Sequence, residues 1–167
     1  MREHVYSLTV RWTGNTGSGT SAYRAYRRDH VVQAGQKPTI EGSSDPHFRG
    51  DPARWNPEEL LLASLAACHQ LWFLHLCAEA GIVVIAYEDE PLGWMSEHPD
   101  GGGEFSRVLL RPRVTLQIAP GQALSPELQA RARQLHARAH ALCFIARSVR
   151  FPVEHEAVVV AAPAAGS

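Results

Sequence analysis

The chain is nearly without lysine: of its 16 basic residues only Lys37 is not arginine, and 17 acidic residues bring the net charge to −1. So even a balance offers no electrostatic footprint for nucleic acid or an anionic membrane surface. Cysteine is scarce as well. Cys68, Cys77 and Cys143 are an odd number with no C-x-x-C among them, which excludes a disulfide framework and a tidy zinc site. The start, Met1-Arg2-Glu3-His4-Val5-Tyr6, lacks the apolar run of a signal peptide. The most apolar stretch, Leu60 to Ala80, is interrupted by His69, Gln70, His75 and Glu79, which argues against a membrane span. Gly14, Gly17 and Gly19 have neither the spacing nor the following helix of a nucleotide-binding loop, and no cofactor motif appears elsewhere. What remains is a 167-residue chain, 45% apolar and 20% charged, expected to be reduced and cytoplasmic. That length suits one domain, or two small lobes sharing a core.

Residues 4–12 alternate apolar and polar, and so do residues 21–32 across the Gly-rich loop at 13–19, which predicts an N-terminal hairpin over residues 1–34. Residues 35–55 turn to Gly, Pro, Ser and Asp without periodicity, long enough for a functional loop. Asn56-Pro57-Glu58-Glu59 then opens a helix over 56–80: Asn56 caps it, Pro57 sits in the first turn, and Glu59 completes a capping box. Gly81 ends it. The helix is about 36 Å long, and its apolar residues cover almost the whole circumference, as in a helix buried on all sides. One small domain can hardly wrap such a helix, so a partner subunit is expected on part of it. Residues 83–160 should supply strands at Val83–Trp94 and Phe105–Ile118, a helix from Ser125-Pro126-Glu127 to Leu142, a short piece at Phe144–Val149, and a last strand at Val153–Val160. The tail from Ala161 is expected to fray. The order is ββ, long helix, ββ, helix, strand: an α+β fold in a single domain.

Two of the cysteines draw attention. Cys68 is followed by His69-Gln70, a polar opening in an apolar run, and the approach to its helix carries Arg49 and Arg54. A thiol becomes a nucleophile as thiolate, which needs a nearby cation, because Cys68 lies three turns inside the helix and gains little from its dipole. Cys77 is nine residues on, about 13 Å along the axis and on the opposite face, where it reads as core filler.

The block Asn56-Pro57-Glu58-Glu59-Leu60-Leu61-Leu62-Ala63-Ser64-Leu65-Ala66-Ala67-Cys68 resembles the OsmC/Ohr family of thiol-dependent peroxidases, as does the placing of Cys143 on the second helix shortly before the last strand. The resemblance covers nearly the whole chain. It implies that Cys68 attacks an organic hydroperoxide and becomes a sulfenic acid, that Cys143 closes a disulfide with it, and that a dithiol, such as a lipoylated protein, reduces the disulfide. It also implies that Glu58 holds an arginine that activates the thiol. In Pro46-His47-Phe48-Arg49-Gly50, His47 stands at the family's arginine position, leaving Arg49, or Arg24 or Arg27 of the N-terminal segment, for that role. Glu58 has a plainer reading too, a first-turn carboxylate that stabilises the helix dipole. Glu58 and Cys68 lie about 15 Å apart along one helix. No single arginine spans that comfortably, which favours an intertwined homodimer with its sites at the interface. Trp55, His69, Trp72 and Phe144 are the residues expected around the substrate.

Two other readings stay open. His136, His140 and Cys143 fall at i, i+4 and i+7 and, with Cys68, form a candidate metal set, against which stands the reading of two surface histidines on an Arg-rich helix. Alternatively His69 or His140 tunes a thiol, or the fold only binds a small apolar ligand near Trp55, Trp72 and Phe144.

Overall fold

In the computed structural model, which describes residues 2–163, the long helix α1 spans Pro57–Glu79. Its start is the capping box read from the sequence: the Glu59 N–H donates to Asn56 Oδ1 (2.8 Å) and the Asn56 N–H donates to Glu59 Oε2 (3.2 Å). Its end is a left-handed Gly81 (φ 69°), where the Ile82 N–H donates back to the Cys77 carbonyl at 2.9 Å. By length and composition α1 is apolar enough to cross a bilayer. Here its stripe of Leu65, His69, Phe73, Leu76 and Cys77 is buried in protein. The expectation of burial on all sides is not met within this chain: Leu71, on another face, is 67% exposed. A chain of this size supplies enough surface to cover one side.

The chain divides into two compact units, residues 1–61 and 62–167. The first holds a three-stranded antiparallel sheet of β1 (Thr9–Trp12), β2 (His30–Gln33) and β3 (Ile40–Gly42). Both strands of the expected hairpin are therefore shorter than their alternation suggested. Residues 21–26 form turns instead, in which Arg28 lies over the rings of Tyr23 and Tyr26. The loop expected at 35–55 carries β3 and a 3-10 turn at Pro46–Phe48, capped by Asp45, whose carboxylate accepts the His47 N–H at 2.7 Å.

The second unit holds two sheets, and each long strand read from the sequence is split between them. Val83–Trp94 becomes β4 (Val84–Asp89) and β5 (Leu92–Glu97), and Phe105–Ile118 becomes β6 (Gly103–Leu110) and β7 (Pro112–Ile118). The last strand becomes β8 (Val153–His155) and β9 (Val158–Pro163), so Ala161 belongs to a strand and residues 164–167 of the expected frayed tail lie outside the described residues. One sheet runs β4-β7-β9 and the other β5-β6-β8; β9 and β8 add in parallel to antiparallel pairs. Pro91 and Pro112 sit at two of the breaks, where a residue without N–H cannot continue a ladder. Arg111 pins the corner: its N–H donates to Asp89 Oδ1 and its Nε to the Glu90 carbonyl, both at 2.7 Å. Helix α2 spans Pro126–Leu142 with Ser125 as cap. The core of this unit joins Phe73, Leu76 and Cys77 of α1 to Val114 and Leu116 of β7, Ala132 and Ala139 of α2, and Val159 of β9.

Candidate active site

About three turns of α1 and the end of α2 build the site. Ser64, Ala67, Cys68, Leu71, Trp72 and His75 share a face of α1 adjacent to its core stripe, since 64, 68, 71 and 75 recur at helical spacing. With Phe144 and Ile145 they line an open cavity of about 630 Å³. The Trp72 and Phe144 rings meet edge-to-face, centroids 5.7 Å apart. His75 reaches Glu79 at 3.5 Å, and none of the lining residues is Arg or Lys.

Cys68 is half-buried in this wall and Cys143 is buried behind it; both are free thiols. They lie 75 positions apart in sequence, yet the two side chains are neighbours, and Cys68 favours the protonated form of Cys143. Burial first, and then the neighbouring Cys68, push the Cys143 thiol up to about 11. The Cys143 sulfur in turn accepts the Ala146 N–H at 3.4 Å. Backbone holds the residue on both sides: its N–H donates to the His140 carbonyl (3.2 Å), and its carbonyl accepts the Arg147 N–H (3.1 Å). Cys77 is buried in the core with its thiol also pushed up by burial to about 11, in keeping with filler.

Of the residues expected around the substrate, Trp72 and Phe144 line the cavity with Cys68. His69 does not. One residue further round the helix, it is fully enclosed, and its Nε2 lies 3.0 Å from His136 Nδ1. The two rings are nearly parallel (6°) with centroids 5.3 Å apart, too far for face-to-face stacking and matched by an in-line imidazole–imidazole hydrogen bond. His136 also stacks on Phe73, centroids 3.8 Å apart, and His155 stands 5.4 Å from His69 and 5.8 Å from His140. Burial lowers His69 to about 4 and His136 to about 3, and lowers His155 as well, so the pair is neutral at pH 7. The surface reading of these histidines is thus overturned for His136, which is 0% exposed. Its signal was present in the sequence: Ala132, His136, Ala139 and Cys143 follow helical spacing, and the flanking alanines let α2 approach closely. The metal set does not form. Among the described residues no three His, Cys, Asp or Glu side chains are arranged to hold an ion, and one hydrogen bond occupies the facing nitrogens of His69 and His136.

The remaining candidates belong to the first unit or the first turn of α1. Glu58 is half-buried and Trp55 half-exposed, its backbone bonded to Glu41 and Ser43. Arg24 and Arg27 lie exposed in the turn-rich segment, and exposed Arg49 takes a left-handed conformation (φ 67°) after the 3-10 turn. Among the described residues none of Glu58, Arg24, Arg27 and Arg49 is in an ion pair, whereas Arg54 reaches Asp51 at 3.7 Å and Glu41 at 3.9 Å. His47 is held by Asp45, Nδ1 to Oδ1 2.8 Å.

Comparison with known proteins adds a family. The profile described as OsmC-like protein matches residues 50–157. No curated protein matches the sequence. Among solved structures, an OsmC-like protein of unknown function from Vibrio cholerae is 29% identical, with a TM-score of 0.79 over 93% of this chain and 100% of that one. An organic hydroperoxide resistance protein, OsmC, from Legionella pneumophila is 19% identical (TM-score 0.63; 95% and 99% covered). A putative organic hydroperoxide resistance protein from V. cholerae, with captopril bound in one of its active sites, is 22% identical (TM-score 0.62; 94% and 93% covered). These last two share the fold.

Proposed function

The chain belongs to the OsmC-like family, and from that premise we propose that it is a two-cysteine peroxidase for organic hydroperoxides. The observation that carries this reading is the meeting of Cys68 and Cys143, two thiols remote in sequence, at the wall of an apolar cavity. The Cys68 thiolate attacks the terminal oxygen of the hydroperoxide: the S–O bond forms, the O–O bond breaks, and the alkoxide leaves and takes a proton from water. Sulfur is oxidised by two electrons and the peroxide reduced by two. The Cys143 sulfur then attacks the Cys68 sulfenic acid. An S–S bond replaces the S–O bond, and the Cys143 proton departs with the hydroxyl as water. An external dithiol, such as a lipoylated protein, reduces the disulfide and becomes a disulfide itself. Leu71, Trp72, Phe144 and Ile145 suit an apolar peroxide substituent.

The working unit is a homodimer in the cytoplasm. Leu71 and Phe144 stand 67% and 68% exposed beside the cavity, an apolar surface of the sort a second copy covers, and within the first unit Leu8, Val10 and Trp12 are exposed as well.

The test is a thiol count by mass spectrometry before and after one equivalent of cumene hydroperoxide. Two thiols should vanish into a Cys68–Cys143 disulfide, and Cys68→Ser should abolish the reaction. Three untouched thiols overturn the peroxidase reading and leave the cavity as a site for a small apolar ligand.

A further inference from the structure

Helix α2 and the link from β8 to β9 line a second, smaller cavity of about 290 Å³, walled by Arg133, His136, His155, Glu156 and Ala157. It shares no residue with the apolar cavity around Cys68. His136 is 0% exposed and commits its Nδ1 to His69, yet its Nε2, on the other side of the ring, has no partner. The other bare ring nitrogens, on His69 and His140, belong to residues outside this lining. A buried nitrogen without a hydrogen bond is costly, and a fold keeps one where something else comes to satisfy it. We propose that this cavity binds a small dipolar molecule carrying both a carboxylate and an ammonium group, as a free amino acid does.

The charges in the wall select the class. Arg133 and Glu156 line the same space, yet among the described residues neither forms an ion pair with the other or with any other group. Opposite charges that face one space without closing on each other leave room for a ligand that bears the complementary pair. A simple anion is drawn to Arg133 and repelled by Glu156, and a simple cation meets the reverse, whereas a dipolar molecule satisfies both. A metal ion is opposed by the guanidinium, and among the described residues no three His, Cys, Asp or Glu side chains are arranged to hold one. His136 can meet either end of the ligand. With its Nδ1–H donating to His69, its Nε2 accepts from an ammonium; with that hydrogen bond reversed, its Nε2–H donates to a carboxylate. The wall is well held: Phe73 stacks on the His136 ring with centroids 3.8 Å apart, and the Glu156 N–H donates to the Leu110 carbonyl at 2.9 Å. Ligand cavities span about 300–1,000 Å³, so this one suits a molecule of few atoms rather than a peptide.

The full-length protein, isotope-labelled at its histidine ring nitrogens, is titrated with glycine, L-alanine and L-serine, and with acetate and methylammonium as the two halves of the dipole. The nitrogen resonances of the hydrogen-bonded His69–His136 pair read whether Nε2 gains a partner. At least one amino acid should shift them saturably with a Kd of about 1 mM or below, and acetate and methylammonium should each bind about tenfold more weakly or worse. Arg133 and Glu156 are exposed, so Arg133→Gln and Glu156→Gln leave the core untouched. Each should weaken the amino acid by about tenfold or more, while Glu156→Gln should strengthen acetate by removing its repulsion. No saturable shift with any of the three amino acids overturns the proposal. So does acetate or methylammonium binding as tightly as the amino acid, or amino-acid binding that either variant leaves unchanged. No peroxide enters the titration, so its outcome stands apart from the peroxidase reading.

Discussion

Two fully enclosed imidazoles sharing one hydrogen bond make the fold sensitive to acid. His69 and His136 are neutral when folded, with values of about 4 and 3 against 6.5 for a free histidine. Because the folded values are depressed, the unfolded chain binds protons first as pH falls. The stabilisation is intact above about pH 6.5 and is lost progressively toward pH 4 and 3. Each pH unit costs about 1.4 kcal/mol for an imidazole that stays neutral. At pH 4.5, about two units down, that is about 3 kcal/mol for each and about 5 kcal/mol for the pair, against a typical domain stability of about 5–15 kcal/mol. His155 adds in the same direction. Asp89, whose carboxyl burial pushes up, works in the opposite sense and gains stability on acidification. Urea denaturation followed by tryptophan fluorescence at pH 7, 6, 5 and 4.5 measures the slope. The double variant His69→Leu/His136→Phe removes both titrations and both orphaned ring nitrogens, and should lose less than about 2 kcal/mol over the same interval. A native protein that loses under about 1 kcal/mol between pH 7 and 4.5, or a double variant that loses as much as the native, refutes the reasoning.

Asn56→Ala removes the side-chain acceptor of the capping box and should cost about 1 kcal/mol in thermal or urea denaturation. Gly81→Ala meets no atom within 4 Å of the added carbon, so its expected cost of about 1–2 kcal/mol in the same assay is that of a left-handed backbone alone. Cys77→Ser places a hydroxyl in an enclosed apolar site and should destabilise by about 1–3 kcal/mol, while the rate of Cys68 alkylation by iodoacetamide stays unchanged.

How far these features could be read from residues alone depends on how local their causes are. The start and end of α1 were legible because a capping box and a Gly stop act within four residues. The start of α2 at Ser125-Pro126 was legible for the same reason. The strand breaks were not: alternation runs through Glu90, Arg111 and Glu156, and only pairing with different partner strands divides each run. Within the site, it was the family resemblance, through the spacing from Glu58 to Cys68 and the late position of Cys143, that implied a pair of thiols, and the fold brings the two together. His136 was misplaced because an Arg-rich helix suggests a polar face, and its burial is decided by Phe73 and His69 on another helix. The expected arginine stayed illegible for a different reason, since Arg24, Arg27 and Arg49 all lie in irregular segments whose positions no periodicity fixes.

The parallel addition of β8 and β9 has a consequence for how the second unit is made. Residues 153–163 supply the third strand of both sheets, one partner being β6 and the other β7. A ribosome that has delivered everything up to Pro152 has therefore produced two antiparallel pairs, each with an open hydrogen-bonding edge on an apolar strand, and neither sheet can close. Such edges are where growing chains stick to one another. Folding of this unit waits on its last eleven described residues, and a nonsense codon after Pro152 should yield inclusion bodies, even though both cysteines and the whole cavity wall have already been synthesised.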